Sequence, residues 1–256
     1  MFKSFIIFLL SLILLSSCSL FGAKKETKAL VADGLSPSVL YDQAKEKISA
    51  GSIDQGIEQF QSILASYPGS KYAIQARLDI AYNLFKRQKY NRAIQELDLF
   101  IERYPETAST AYAYYLRGIV AEKRSASVLD KIVTDNAQRD VRSTREAYDY
   151  FILLIEKFPN SKYSKEALKK LNILRNTLAR HEFYIAIYYT NIGSNIAAIN
   201  RSKYIIENYP NSSSIPDSIH LMAFNYDEIN APKLAEDARK ILLSSYPDHI
   251  AIYSID

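Results

Sequence analysis

Residues 81–105 read AYNLFKRQKYNRAIQELDLFIERYP. The stretch opens on Ala81, carries a second small residue at Ala93 and stops at Tyr104-Pro105. Proline disfavours helix at the residue before it, so the aromatic-Pro pair marks a helix end. The same ending recurs as Tyr67-Pro68, Phe158-Pro159, Tyr209-Pro210 and Tyr246-Pro247, with steps of 37, 54, 51 and 37 residues between successive prolines. Twelve residues before each proline stand Gly56, Ala93, Ala147, Ala198 and Ala235; twenty-four before stand Ala44, Ala81, Ala186 and Ala223, with Gly118 filling that site in the longer third unit. Small residues at both places are what two closely packed antiparallel helices require, because a larger side chain would push them apart.

This skeleton resembles that of tetratricopeptide repeats, with Tyr189 and Tyr226 at the aromatic position of the repeat and Lys47 and Leu84 departing from it. The fold expected is all-α: a short right-handed superhelical solenoid of five helix-turn-helix repeats, about 37–69, 70–106, 107–160, 161–211 and 212–250. The two long steps locate two insertions. One adds 17 residues between the helices of the third repeat, about Lys123–Arg139. The other adds 14 residues after Pro159, nearly four turns at ~3.6 residues each, which lengthens a helix without rotating its buried face. One long helix is therefore expected from about Tyr163 to Asn191, a break near Arg180 being the competing outcome. Ser70 and Ser161 suit N-caps, Pro232 a first helical position, and Gly51 and Gly193 the turns between paired helices.

The 256 residues hold 32 Lys+Arg against 28 Asp+Glu, too mild a surplus to indicate nucleic-acid binding. Seven glycines argue against folds with many Gly-bearing turns, and a single cysteine, Cys18, excludes an internal disulfide and a Cys-based zinc site. Lys3 precedes an apolar run from Phe5 to Leu15, shorter than the ~20 residues of a membrane span, so residues 1–17 read as an export signal. Its end, Leu15-Ser16-Ser17-Cys18, resembles the bacterial lipobox, in which Cys18 is lipidated and the chain is cut just before it. Ser19, rather than Asp, resembles the pattern sorted to the outer membrane. Residues 18–36 read as a lipidated tether and 37–256 as the repeat domain, a soluble periplasmic body anchored to the membrane.

The chain carries no nucleophile elbow, P-loop, dinucleotide fingerprint or Ca²⁺ loop, and His181, His220 and His249 lie far apart without zinc-ligand spacing. Catalytic residues, metal and cofactor are expected to be none, which leaves a binding surface. Projection from the small-residue sites places Tyr41, Lys45 and Ile48, then Leu78, Tyr82, Phe85 and Lys86, then Tyr112, Tyr115 and Ile119 on the groove formed by first helices. Aromatic and basic side chains together suit an extended peptide with apolar side chains and a carboxylate terminus. The competing reading of these tyrosines is packing between neighbouring helices.

The lipobox, the five repeats and the stretches Tyr115-Leu116-Arg117-Gly118 through Phe158-Pro159-Asn160-Ser161-Lys162-Tyr163, then Ala186-Ile187-Tyr188-Tyr189, Ala197-Ala198-Ile199-Asn200-Arg201 and Tyr209-Pro210, resemble the BamD (ComL) family of outer-membrane-protein assembly lipoproteins. The resemblance implies a non-enzymatic subunit of the β-barrel assembly machinery on the periplasmic face of the outer membrane. It implies binding of a BamA-type barrel subunit through its POTRA domain by the C-terminal repeats, company with other Bam lipoproteins, and receipt of unfolded outer-membrane protein clients by the N-terminal repeats. Arg201 is the implied barrel-subunit contact. The insert Ser125–Val133 and Thr134–Asp140 matches that family less well than its surroundings.

Two rivals stand beside this. A periplasmic tetratricopeptide adaptor of Tol-Pal or cell-wall synthesis shares segments like Tyr67-Pro68-Gly69-Ser70-Lys71-Tyr72, but those proteins typically carry an N-terminal coiled coil, for which the segment before Pro37 is too short. A solenoid cell-wall lytic enzyme would need a catalytic domain beside repeats that already occupy nearly all of the chain.

Overall fold

The computed structural model describes residues 34–124, 137 and 141–249. Ten α-helices follow one another there: α1 (Pro37–Ser49), α2 (Ile53–Ser66), α3 (Lys71–Lys86), α4 (Tyr90–Arg103), α5 (Thr110–Arg124), α6 (Arg142–Lys157), α7 (Lys162–Asn191), α8 (Asn195–Asn208), α9 (Ile215–Glu228) and α10 (Pro232–Ser245). They pack as five antiparallel pairs, each stacked on the next. Along the stack the first helices of neighbouring repeats touch, α1 with α3, α3 with α5, α5 with α7 and α7 with α9. The first helices therefore line the inside of the curve, and the second helices form its outside.

Each helix end has a local cause. Tyr67, Tyr104, Phe158, Tyr209 and Tyr246 leave helical geometry at φ between −126° and −140°, and each still donates its N–H to the carbonyl four residues back. The following proline imposes this stop. Ser36, Ser70 and Ser161 cap α1, α3 and α7 by accepting from Val39, Ala73 and Tyr163. The turns inside the first, second, fourth and fifth repeats use one device: Gly51 and Gly193 sit at φ +87° and +72°, and Gln88 and Asn230 take the same left-handed place at +59° and +56°. Helix α7 runs through Arg180 without a break for 30 residues, about 45 Å.

The small residues are the contact points. Ala44, Ala81, Ala93, Ala147, Ala186, Ala198 and Ala235 have no exposed surface. A Cβ on Gly56 would lie 2.4 Å from Ile48 Cγ1 and 2.9 Å from the Ala44 carbonyl, and one on Gly118 would lie 2.5 Å from the Phe151 ring. Around these points four apolar clusters run the length of the described stack, centred on Phe60, Leu84 and Phe100, on Phe151 and Leu174, on Leu178, Ile205 and Tyr209, and on Ile199 and Tyr226. Cys18, most of the third-repeat insert and residues 250–256 lie outside the described residues.

Phe151 is fully buried, so an added methyl at Gly118 has nowhere to go. Gly118→Ala should lower the unfolding free energy by about 1–3 kcal/mol, the usual cost of overpacking, although Ala is the better helix former. Urea denaturation measures it, and Phe151→Leu added to Gly118→Ala should recover part of the loss.

Candidate protein-interaction surfaces

Tyrosines on the inner face form a line that crosses four repeats. The Tyr41 hydroxyl on α1 donates to Asp79 on α3, and its ring lies 5.3 Å from Phe60 and 5.7 Å from Tyr72. Burial, reinforced by the bond to Asp79, pushes the Tyr41 phenol well above its ordinary value. On α5, Tyr112 and Tyr115 both meet Tyr163 of α7, at 5.3 and 5.5 Å, the second pair nearly parallel. Burial pushes the Tyr112 phenol up to about 12, and the nearby Tyr82, Tyr163 and Asp79 add to the shift. Tyr41, Asp79, Tyr82, Tyr112, Tyr163 and Tyr115 thus succeed one another along the inside of the curve.

The sequence-derived groove residues divide into three kinds. Tyr82 is 40% exposed, and Lys45 and Lys86 are open to solvent. Tyr41, Tyr112 and Tyr115 are half-buried and pack against the rings of neighbouring helices. Leu78 does not belong to the groove: it is 2% exposed, a core residue of the first three repeats. Ile48 packs against Gly56 between the helices of its own repeat, and Phe85 turns its ring toward Tyr90, 6.2 Å away. Asp79, Tyr72 and Tyr163 are additions that projection from the small sites did not supply. The two tyrosines have a signal in the repeated Ser-Lys-Tyr after the helix-ending proline, and in each case the lysine ammonium lies over the ring, at 5.2 Å for Lys71 and 5.0 Å for Lys162.

Arg201 on α8 is not a free helix charge. Its Nη1 lies 2.8 Å from Oε2 of Glu182, a carboxylate only 5% exposed on α7, whose other oxygen faces Arg145 of α6 at 3.5 Å. One repeat earlier, Arg117 of α5 is held between Asp98 of α4, at 2.8 Å, and Glu146 of α6, with the Tyr150 ring 4.3 Å from its guanidinium. Burial works against that charge and the two carboxylates more than offset it, so the Arg117 pKa moves up. Neighbouring residues of α6, Arg145 and Glu146, therefore pin the first helices on either side of it.

The Glu182–Arg201 pair occupies one repeating place: four residues before the small site of the first helix against three after that of the second. The place holds Leu40 with Gln59, Arg77 with Glu96, Tyr114 with Tyr150, Glu182 with Arg201 and Ile219 with Ala238. Arg77 and Glu96 pair at 2.8 Å with the polarity opposite to Glu182 and Arg201, and the Tyr114 and Tyr150 rings lie 6.2 Å apart.

The C-terminal repeats also expose apolar side chains. Tyr188, Ile192, Ile196 and Ile229 are 60, 55, 65 and 38% open. A 280 Å³ hollow between Ser194, Ile196 and Ile229 and a 500 Å³ hollow along α7 at His181, Tyr184, Tyr188 and Tyr189 lie in the same region. His181 is occupied by a 2.7 Å hydrogen bond to the Ala137 carbonyl, and His249 faces Asp217 at 3.1 Å. Among the described residues no group of His, Cys, Asp and Glu is placed to hold a metal ion, and no helix is long and apolar enough to cross a membrane.

The family described as YfiO, outer membrane lipoprotein, matches residues 33–241. The chain is 32% identical over 244 residues to the outer membrane protein assembly factor BamD of Xylella fastidiosa, covering 95% of this chain and 83% of that one. It is 31% identical to the BamD of Neisseria gonorrhoeae, covering 91% and 87%, and 25% identical to that of Vibrio cholerae, covering 90% and 95%. Solved structures with similar arrangement include the MamA protein, at 16% identity with 85% and 98% of the two chains covered and a TM-score of 0.35. A tetratricopeptide protein of Thermus thermophilus aligns at 13%, with 83% and 93% covered and a TM-score of 0.37.

Arg201→Met takes one charged partner from the buried Glu182 and leaves it Arg145. Because Arg201 is 42% exposed the loss is discounted to about 1–2 kcal/mol. Thermal denaturation should show it, while Lys165→Met on an open face of α7 should stay within about 0.5 kcal/mol of the parent.

Proposed function

The chain belongs to the YfiO outer membrane lipoprotein family, and from that premise we propose that it is an outer membrane protein assembly factor: a non-catalytic lipoprotein scaffold of the β-barrel assembly machinery. The observation that carries the proposal is the family match over residues 33–241, which takes in nearly the whole helical stack rather than a single repeat. Cys18 anchors the protein by its lipid to the periplasmic side of the outer membrane.

Two surfaces divide the work. The inner face of the first three repeats, with Tyr82 open and Lys45 and Lys86 beside it, receives unfolded outer-membrane protein clients as extended peptides. Half-buried tyrosines suit that task because their rings are fixed by packing before the ligand arrives, which lowers the entropic cost of binding. Asp79 modifies the expectation drawn from aromatic and basic residues alone: a carboxylate sits among the rings, already engaged by Tyr41, so the client's own carboxylate is met by Lys45 or Lys86 at the margins.

The C-terminal repeats hold the barrel subunit through its POTRA domain. Support comes from the exposed Tyr188, Ile192 and Ile196 and from the open side of Arg201. Arg201 then has two roles, holding Glu182 inside the protein and offering its remaining N–H groups outward. The guanidinium fork, with five N–H donors in fixed directions, permits both at once. Loss of barrel assembly on charge reversal at Arg201 therefore has to be read together with the stability of the variant.

Titration with C-terminal peptides of outer-membrane β-barrel proteins tests the client surface. Tyr82→Ala, at a residue 40% exposed, should weaken binding by about tenfold without loss of fold. Unchanged affinity would remove this face as the client site.

A further inference from the structure

The turns that join the two helices of each repeat form one edge of the stack, and its charge changes along the molecule. In repeats one and two the last turn of the first helix, the connecting turn and the first turn of the second helix carry Lys45, Lys47, Lys86, Arg87, Lys89 and Arg92 against only Glu46 and Asp54. The same windows in repeat four, residues 187–198, hold no charged side chain, and those in repeat five hold Asp227, Glu228 and Lys233. The same architectural edge is thus strongly cationic at one end and neutral to weakly acidic at the other.

The internal carboxylates do not neutralise the basic end. Arg87 pairs with Asp54, and Lys89 reaches the same oxygen at 3.9 Å. The Asp54 carboxyl is held below its ordinary value chiefly by its bond to Arg87, with Lys89 and Arg92 adding to the effect. Three cations share one exposed carboxylate. Lys47 spends its donor on neutral Gln59. By contrast, the buried arginines Arg77 and Arg117 each have their own carboxylate, so the surplus is confined to the rim.

We propose that this turn edge of the first two repeats rests on a bilayer surface carrying anionic headgroups. The cations are spread over two adjacent turns, which suits many laterally mobile phosphates better than one small ligand, and each Lys or Arg close to such a surface strengthens binding by roughly fivefold. The orientation rests on the reading of Cys18 as a lipid anchor. The tether enters at the opposite edge, where the Leu35 carbonyl accepts from the Tyr67 hydroxyl at 2.8 Å. Helix α1 separates the two edges by about 20 Å, and the chain from Cys18 to Gly34 spans up to roughly 50 Å, so the anchor permits the pose. Several acyl chains on Cys18 already suffice to hold the protein at the membrane, so the basic edge orients the body on that surface rather than retaining it there. In this pose the aromatic-Pro edge is left to protein partners.

Flotation tests it with the chain from residue 18 onward carrying Cys18→Ser, so that no lipid contributes, and vesicles of phosphatidylcholine alone or mixed with phosphatidylglycerol. The chain should float with the mixed vesicles at low salt, stay behind with phosphatidylcholine, and come off at high salt. The variant Arg87→Glu/Lys89→Glu/Arg92→Glu should lose more than about a hundredfold in affinity. A variant with the same charge change at the opposite edge, Arg103→Glu/Lys157→Glu/Lys165→Glu, should lose far less. All three edge residues are solvent-accessible, and circular dichroism confirms that both variants remain helical. Equal binding by the two triple variants, no binding by the parent, or capture by immobilised polyglutamate without vesicle binding would overturn the proposal. Because the anchor is absent from the assay, none of these results bears on lipidation at Cys18.

Discussion

Close approach of paired helices at two small residues per repeat is the constraint on which the rest of the structure depends. It fixes the register of each pair, because only where Ala or Gly faces the partner can the axes come together. Once that register is set, every other position acquires a fixed neighbour: the residue four before the first small site meets the residue three after the second. The aromatic-Pro pair ends each second helix at a constant distance from these points, so that helix length and register are set by the same short pattern. An insertion of 14 residues is absorbed in α7 because it adds nearly whole turns and returns the buried stripe to its original side.

The variable place within this fixed register carries much of the protein's individuality. It is apolar in the fifth repeat, aromatic in the third and ionic in the second and fourth, with opposite polarity in the two ionic cases. Buried ion pairs add little net stability over apolar packing, but leaving one member alone is costly. Alternation of this kind discourages a helix from pairing with the wrong partner in a stack of similar units. Helix α6 extends the principle between repeats: Glu146 turns to Arg117 and Arg145 to Glu182, joining the aromatic inner face of the early repeats to the apolar surface of the later ones.

What the sequence made legible follows from this physics. Small sites, helix stops, caps and the long helix are encoded by residue type at fixed spacing, and each has a strong local cause. The groove was harder to read. Leu78 stands where projection expects an exposed stripe, but a first helix in a solenoid is enclosed by its second helix and by the first helices on both sides, so its open stripe is narrower than that of a lone amphipathic helix. Asp79, beside it, became visible only when Tyr41 of the previous repeat was seen to reach across. The internal role of Arg201 could not be read because its partner is 19 residues away on another helix, a spacing with no meaning until the register of the pair is known.

The central claim is that this stack serves as a scaffold for β-barrel assembly. Affinity capture of the full chain from detergent-solubilised outer membrane tests it most directly, with the co-purified proteins identified by mass spectrometry. The account expects a barrel protein bearing POTRA domains to be recovered in stoichiometric amount. Recovery of Tol-Pal or cell-wall synthesis components without any such barrel protein would contradict it.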